Sequence, residues 1–474
     1  MLNLHKLIHP SASRTPIRGW LISIFLIGLA LRIAYVTPRW QSLPQWNVDA
    51  IGYHQLAVNT LAGRGFSLNT EAPFRHDSIR TPGYPLFLSA IYLITGIQPR
   101  AAILVQCAID AFTAVMAGWL AWQLTRRRPA LILAGLCYAT DTVAWRYSAE
   151  LYVEVVQGAA LIGLGCLIVG NTFLTKRPIL HAIALGLASG ILVLIKPNLL
   201  PLPLIVAAYA LWRMRAWRPV LALLLSSALV LLPWCIRNQL VFGRFTVSTV
   251  FENNVLVVSA PATLVEAHHE DTLPWTPRWM FHFNAVVDRA MQAHPALLTL
   301  PEARMTDLQR GEASALLASA AQEVLRENPV AFVSGHLKGV LRGLPSTEHQ
   351  FWFQALSGKP WDVAVPKGML QTILGGDLGT VSRLAMAVWA YFAVRQMIGL
   401  IGLAAGALWL WRTQRAFLVW SAVLIAYVVV LPGPILYERF TLPIVPILGV
   451  LIGCGGQHVF VTLMSRKVPT LTSN

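Results

Sequence analysis

Ten apolar stretches, each close to the roughly 20 residues that a helix needs to cross a lipid hydrocarbon core, recur along the chain: 17–36, 100–124, 130–147, 151–170, 179–195, 198–212, 219–236, 385–411, 416–432 and 440–463. They predict an all-α polytopic membrane protein. The composition agrees, with 56% of the 474 residues hydrophobic, 12% charged and a mean hydropathy of +0.58. A soluble domain carries about a quarter charged residues, so a soluble globular enzyme is excluded. A disordered chain is excluded as well, because disorder needs low hydrophobicity. The five cysteines, Cys107, Cys137, Cys166, Cys235 and Cys454, all lie in apolar runs. That argues against a disulfide framework and against a thiolate metal site.

Charge placement orients the spans. A formal charge of +16 would suit nucleic acid, but the basic residues collect at the ends of apolar runs instead. Lys6, Arg14 and Arg18, Arg126 to Arg128, Lys176 and Arg177, Arg213, Arg215 and Arg218, Arg412 and Arg415, and Arg466 and Lys467 make up 15 of the 37 basic residues, with none of the 21 acidic ones among them. If the first span runs outward, all of these clusters fall on the cytoplasmic side, as the positive-inside rule requires. Both termini are then cytoplasmic and the number of spans is even. Residues 83–97 are apolar but too short to span, and counting them would put Arg126 to Arg128 outside. They are therefore expected as a helix at the outer interface. The run 179–212 reads as two spans joined by a tight turn at Lys196-Pro197-Asn198. The first span has a long polar lead, no small-residue cleavage site and Arg32 near its outer end, which favours a retained span over a signal peptide.

This topology gives three parts: a membrane domain over 1–236 with seven spans and an outer loop at 37–99, an extracytoplasmic domain over 237–384, and three further spans over 385–474. The inner loops are short, so the chemistry is expected outside. No Gly-Lys-Ser/Thr phosphate loop is present, and Gly375-Gly376-Asp377 is a turn signal only. In the outer domain, 312–327 places Leu317, Ala320, Ala321 and Val324 on one helical face and stops at Asn328-Pro329. Residues 330–344 place Val333, Leu337, Val340, Leu341 and Leu344 on another.

Ionisable residues at membrane depth are costly and mark candidate function. An amphipathic helix begins directly after Asp49, with Ile51, Leu56 and Leu61. Asp49 therefore reads either as its N-cap or as a carboxylate presented beside the membrane surface. Glu150 and Glu154 are four apart at the outer start of the fourth span, and like charges on one face need an offsetting partner. Asp110, midway along the second span, suits a buried tie to an arginine such as Arg32. Arg75, Arg80, Lys196, Arg237 and Arg439 are all expected outside, against the general rule. Such a set suits an anionic headgroup, or simple anchoring to anionic lipid. His268-His269-Glu270-Asp271 is read as solvated rather than metal-binding.

Several strings, in order, resemble GT-C membrane glycosyltransferases, and within them the bacterial relatives of dolichyl-phosphate-mannose protein mannosyltransferases and of the lipid A aminoarabinose transferase. They are Asp49, Tyr53 and Leu61-Ala-Gly-Arg-Gly-Phe66, then Arg80-Thr-Pro-Gly-Tyr-Pro-Leu-Phe87 and Tyr92-Leu-Ile-Thr-Gly96. They continue with Tyr147-Ser-Ala-Glu-Leu-Tyr-Val-Glu154, Ile195-Lys-Pro-Asn198, Pro233-Trp-Cys-Ile-Arg-Asn238 with Phe242-Gly-Arg-Phe245, and Tyr437-Glu-Arg-Phe-Thr-Leu-Pro443 with Pro446. The resemblance implies an inverting transferase of the inner membrane that moves a sugar from a polyprenyl-phosphate donor to an acceptor hydroxyl at the periplasmic face. By the same analogy Asp49 is the general base, and Glu154 orients substrate or shares a cation with Asp49. Lys196, Arg237 and Arg439 steady the departing phosphate, and Tyr53, Arg80 and Glu150 help to form the substrate site. The first loop has a single acid where protein mannosyltransferases have a pair, and the second-loop acid is Glu. Neither departure supports a bound divalent metal, so no cofactor is implied with certainty, and the acceptor class (lipid, glycan or protein) stays open. The partners implied are the lipid-linked donor, that acceptor and the surrounding lipid, with no nucleic acid. Two other classes remain in view: a transporter or flippase for a lipid-linked saccharide, and a non-catalytic scaffold presenting 237–384.

Overall fold

The computed structural model describes residues 17–170, 176–344, 348–361, 365, 369–374 and 381–466. Lys6, Arg14, Gly375-Gly376-Asp377 and Lys467 lie outside these residues. Among the described residues the regular elements are all helices, and an isolated antiparallel bridge joins Ser67 to His76. Six helices are long and apolar enough to cross a membrane: Arg18–Ser42, Pro99–Thr125, Pro178–Ile195, Trp217–Phe242, Arg383–Thr413 and Glu438–Thr462. Gly83–Thr95, Arg128–Ala139, Val153–Val169 and Arg415–Val430 are apolar but shorter.

Local chemistry sets the breaks. Proline stands at the first turn of Pro99–Thr125, Arg128–Ala139, Pro178–Ile195 and Pro329–Gly343, where its missing N–H costs nothing. The expected span 130–147 is two helices, Arg128–Ala139 and Thr142–Ser148. Between them the Asp141 carboxylate accepts the Ala144 N–H at 3.0 Å and so caps the second helix. Pro197 and Pro201 delay the next helix to Leu202–Met214, which is shorter than the expected 198–212.

Helix Pro99–Thr125 is the hub, packing against Arg18–Val36, Arg128–Ala139 and Val153–Val169. Helices Arg383–Thr413 and Val445–Arg466 meet through Gly406, where a Cβ would collide with the Leu451 carbonyl. Small residues give membrane helices this close approach. The outward side of Arg383–Thr413 carries Val394, Met397, Ile398, Leu400, Ile401 and Leu408, all exposed, as a lipid-facing surface requires.

Outside the long helices, Val255, Ala260, Val286, Ala290, Ala321 and Val324 form a separate apolar cluster. Helix Asp307–Glu327 starts earlier than its apolar pattern suggested, because Thr306 and Gln309 make a capping box. It buries Ala320, Ala321 and Val324 as expected. Of the five residues expected on one apolar face in 330–344, Val333, Leu337, Leu341 and Leu344 are exposed and Val340 is buried, as is Gly339.

Candidate active site

Asp49 lies in the helix Val48–Leu61, and Asn47, not Asp49, caps it. Asn47 Oδ1 accepts the Asp49 and Ala50 N–H groups at 3.1 and 3.0 Å. That leaves the Asp49 carboxylate in the first turn, free for other partners. Its Oδ2 lies 2.7 Å from Arg439 Nη1, and its Oδ1 lies 3.2 Å from Arg80 Nη2. Arg80 reaches it across Gly52, where a Cβ would stand 2.6 Å from the guanidinium carbon.

Glu154, in the first turn of Val153–Val169, is fully buried. Its Oε1 accepts both Lys196 Nζ and Arg439 Nε at 2.7 Å. Arg439 therefore bridges two carboxylates that stand 105 residues apart in sequence. Its guanidinium also stacks 3.9 Å from the centre of the Tyr152 ring. Buried Tyr53 packs edge-on against Tyr84, 4.8 Å between ring centres, with the Arg80 guanidinium 5.4 Å from its own ring. Residues 49, 53, 80, 154, 196 and 439 thus form one knot, built from five separate pieces of the chain.

The electrostatics follow from this packing. Burial pushes the Asp49 pKa up, but Arg439, Arg80 and Lys196 outweigh it and hold the carboxyl below its usual range. Burial lowers the Lys196 pKa, and Glu154 opposes that shift only in part. Burial raises the Tyr53 phenol, aided by Glu154 and Asp49. Two carboxylates face three cations, so the knot carries one positive charge in excess. Glu154 Oε2 is buried and has no hydrogen-bond donor.

Two expected members stand apart. Glu150 shares no helical face with Glu154, because the helix begins only at Val153 and Glu150 sits in the preceding turn. Its Oε2 accepts the Gln45 N–H at 2.8 Å, and burial pushes its pKa up to about 7. Arg237 lies outside the ion-pair knot. Its Nη1 donates to the Asp77 carbonyl at 3.0 Å, and the rings of Trp234, Phe242 and Phe66 surround it at 4.8, 5.1 and 5.8 Å. Arg75 likewise serves the loop, donating to the carbonyls of Glu302 and Ala303.

Sequence reasoning missed Asp77 and Tyr152. Asp77 Oδ2 accepts the Arg80 N–H at 2.7 Å and so fixes the turn that aims Arg80. An acid in a polar loop carries no periodic signal that would single it out. Tyr152 lay within a recognised string, but nothing in that string told it from its neighbours.

The cation shared by the two carboxylates is the Arg439 guanidinium. No group of three His, Cys, Asp or Glu side chains able to hold a metal occurs among the described residues. Glu270, in the former His-His-Glu-Asp string, is engaged by Arg278 and by His282.

No protein-family model and no curated protein sequence matches the chain. Solved structures do. The apo oligosaccharyltransferase of Archaeoglobus fulgidus superposes with a TM-score of 0.50 at 13% identity, covering 95% of this chain and 52% of that one. The same organism's oligosaccharyltransferase AglB, in complex with an inhibitory peptide and a dolichol-phosphate, gives 0.44 at 13% identity over 97% and 53%. ArnT from Cupriavidus metallidurans bound to undecaprenyl phosphate gives 0.41 at 11% identity over 97% and 82%. The chain spans about half the length of the oligosaccharyltransferase it matches. At this identity the likeness concerns the fold alone. The chain shares the helical fold of the apo oligosaccharyltransferase structure, with six helices long and apolar enough to cross a membrane.

Proposed function

We propose that the chain is an inverting glycosyltransferase of the inner membrane that moves a sugar from a polyprenyl-phosphate donor to an acceptor hydroxyl at the periplasmic face. The observation that carries this reading is the knot in which Arg439 joins Asp49 to Glu154 while Lys196 and Arg80 complete the pairing. Its single excess positive charge matches the single negative charge of a phosphodiester donor. In this reading the six long helices, together with shorter ones, make up ten spans with both termini cytoplasmic. Residues 237–384 form the extracytoplasmic domain, between membrane parts 1–236 and 385–474.

The donor's phosphate takes Lys196 and Arg439 as partners. Drawing Arg439 away loosens its hold on Asp49 and raises that carboxylate's proton affinity when a base is needed. The acceptor oxygen attacks the anomeric carbon from the face opposite the phosphate. The new carbon–oxygen bond forms as the anomeric carbon–phosphate oxygen bond breaks, and the electron pair leaves with the polyprenyl phosphate. The acceptor's proton passes to Asp49. Negative charge grows on the phosphate in this step, and Lys196 and Arg439 stabilise it there. Glu154 Oε2, which has no donor of its own, accepts a hydrogen bond from a substrate hydroxyl. Arg237 and Asp77 hold the turn that carries Arg80.

A transporter needs a polar path through the bilayer. The mid-span acid Asp110 has both carboxylate oxygens occupied, by Arg32 and Tyr138, which leaves no open carboxylate there. Purified protein given labelled polyprenyl-phosphate sugar separates the readings. The transferase releases polyprenyl phosphate and labels an acceptor, and Asp49→Asn stops both. Movement of intact donor across liposomes without cleavage would overturn the proposal.

A further inference from the structure

Beside the last outer connection, helices Ala260–Ala267 and Pro329–Gly343 enclose a cleft of about 330 Å3 whose walls also include Thr272, Pro274 and Pro434. Its charged groups come in pairs. Lys338 Nζ lies 2.6 Å from Glu266 Oε1, and Arg342 Nη2 lies 3.1 Å from Asp271 Oδ1. Glu270 is held by Arg278 and, at 2.8 Å, by His282 Nε2. Glu266, Asp271 and Glu270 stand in the walls. Lys338 and Arg342 pair with the first two from the same walls, and Arg278, outside the lining, pairs with the third, so each carboxylate is compensated and none is left to attract a polyamine. Each ion pair keeps spare capacity, because a carboxylate offers about four lone-pair sites and a guanidinium five N–H donors. A wall that both donates and accepts suits hydroxyl groups, which do both.

An aromatic residue stands at the rim. Trp275 follows the lining residue Pro274, is 58% exposed, and has a ring 6.3 Å from that of the lining residue Trp279. Its φ is +67°, a conformation that bulky residues rarely adopt. An exposed indole next to paired charges offers an apolar surface for the C–H face of a sugar ring, with polar groups alongside for its hydroxyls.

A short stretch of chain runs from the cleft to the knot. Pro434 is one wall, and Arg439 follows five residues later, which is at most about 18 Å of chain. Helix Pro329–Gly343 grips this connection. Gly339 and Gly343 bring its backbone against Pro434 and Leu436, where a Cβ has no room, and His336 Nε2 lies 2.7 Å from the Val430 carbonyl oxygen.

We propose that this cleft binds the acceptor, and that the acceptor is an uncharged, hydroxyl-rich saccharide of more than one unit, with one end in the cleft and another reaching Asp49. The proposal rests on the transferase reading above and adds the class of acceptor to it. The test applies full-length protein carrying Asp49→Asn, in lipid nanodiscs, to an array of immobilised neutral oligosaccharides and of unglycosylated peptides. A subset of the oligosaccharides is retained, and Trp275→Ala and Lys338→Gln each weaken that retention at least tenfold. Trp275 is exposed, so its variant tests the cleft without threatening the fold. Retention of no oligosaccharide, retention of peptides in their place, or retention unchanged in both variants overturns the proposal. Failure of the transferase reading shows in a separate readout, because the unsubstituted protein would then release no polyprenyl phosphate from labelled donor.

Discussion

Two carboxylate–guanidinium contacts in this molecule have similar lengths and opposite surroundings. At mid-bundle, Arg32 Nε meets Asp110 Oδ2 at 2.6 Å, and the Tyr138 hydroxyl takes Oδ1 at 2.5 Å. Arg32 Nη1 spends its hydrogens on the carbonyls of Gly28 and Ala139, and Arg32, Asp110 and Tyr138 are all inaccessible to solvent. In the knot, Arg439 meets Asp49 at 2.7 Å, but the Asp49 side chain is 36% exposed, Glu154 Oε2 has no donor, and cations outnumber carboxylates. In the first contact both oxygens of the carboxylate are used within the protein. Asp49 also uses both oxygens, on Arg439 and Arg80, and Arg32 Nη2 at mid-bundle also lacks an acceptor. What sets the knot apart is its exposed carboxylate and its unbalanced charge, the state expected of groups awaiting a ligand.

The largest expected effect separates the two directly. Asp49→Asn lowers the transfer rate by about 10²–10⁴-fold, the usual range for a lost general base, and shifts the thermal midpoint little, as rate assays and melting of the same preparation would record. Asp110→Leu does the reverse. It strands the buried Arg32 charge and destabilises the fold by about 3–5 kcal/mol, seen as a fall in melting temperature, and the paired change with Arg32→Met recovers much of that loss. Arg439→Lys keeps a charge but cannot bridge Asp49 and Glu154 with two nitrogens. It lowers turnover by about 10²–10³-fold, with a smaller change in donor KM.

The smallest effects are in pH dependence. The Asp49 pKa is depressed in the folded protein, so its ion pairs hold above the ordinary carboxylate range and are lost only as pH falls through the depressed value. The kcat/KM profile, which reports the unliganded protein, should therefore show no acid limb from Asp49 at about pH 4. Glu150 has the opposite sign. Its pKa is raised from 4.5 to about 7, so its cost to stability is absent at low pH, grows between those values and is complete above them. Glu150→Gln raises the melting temperature at about pH 8 and barely alters it at about pH 4.

Apolar run length made most of the membrane helices legible, because hydrophobicity over a span is a local property. The break at Thr140-Asp141 was not legible, since one capping carboxylate outweighed an otherwise apolar run. Asp49 was found with two readings open, a helix cap or a presented carboxylate, because Asn47 and Asp49 are both good caps and only the backbone decides between them. The meeting of Arg439 with Glu154 spans 285 residues and leaves no trace in any local pattern. Inner-face basic clusters placed both on one side, and the fold supplied the contact. Arg237 shows the limit of that reasoning. The expected side of the membrane did not distinguish a residue in the knot from one buried among aromatic rings and tied to the backbone of a neighbouring loop.

The central claim is that the knot's surplus cation awaits a phosphate. Titrating polyprenyl phosphate into the intact protein and into Lys196→Met, in the same nanodiscs, measures this directly. The account predicts at least a tenfold rise in Kd for the variant. Equal affinities in the two proteins would contradict it.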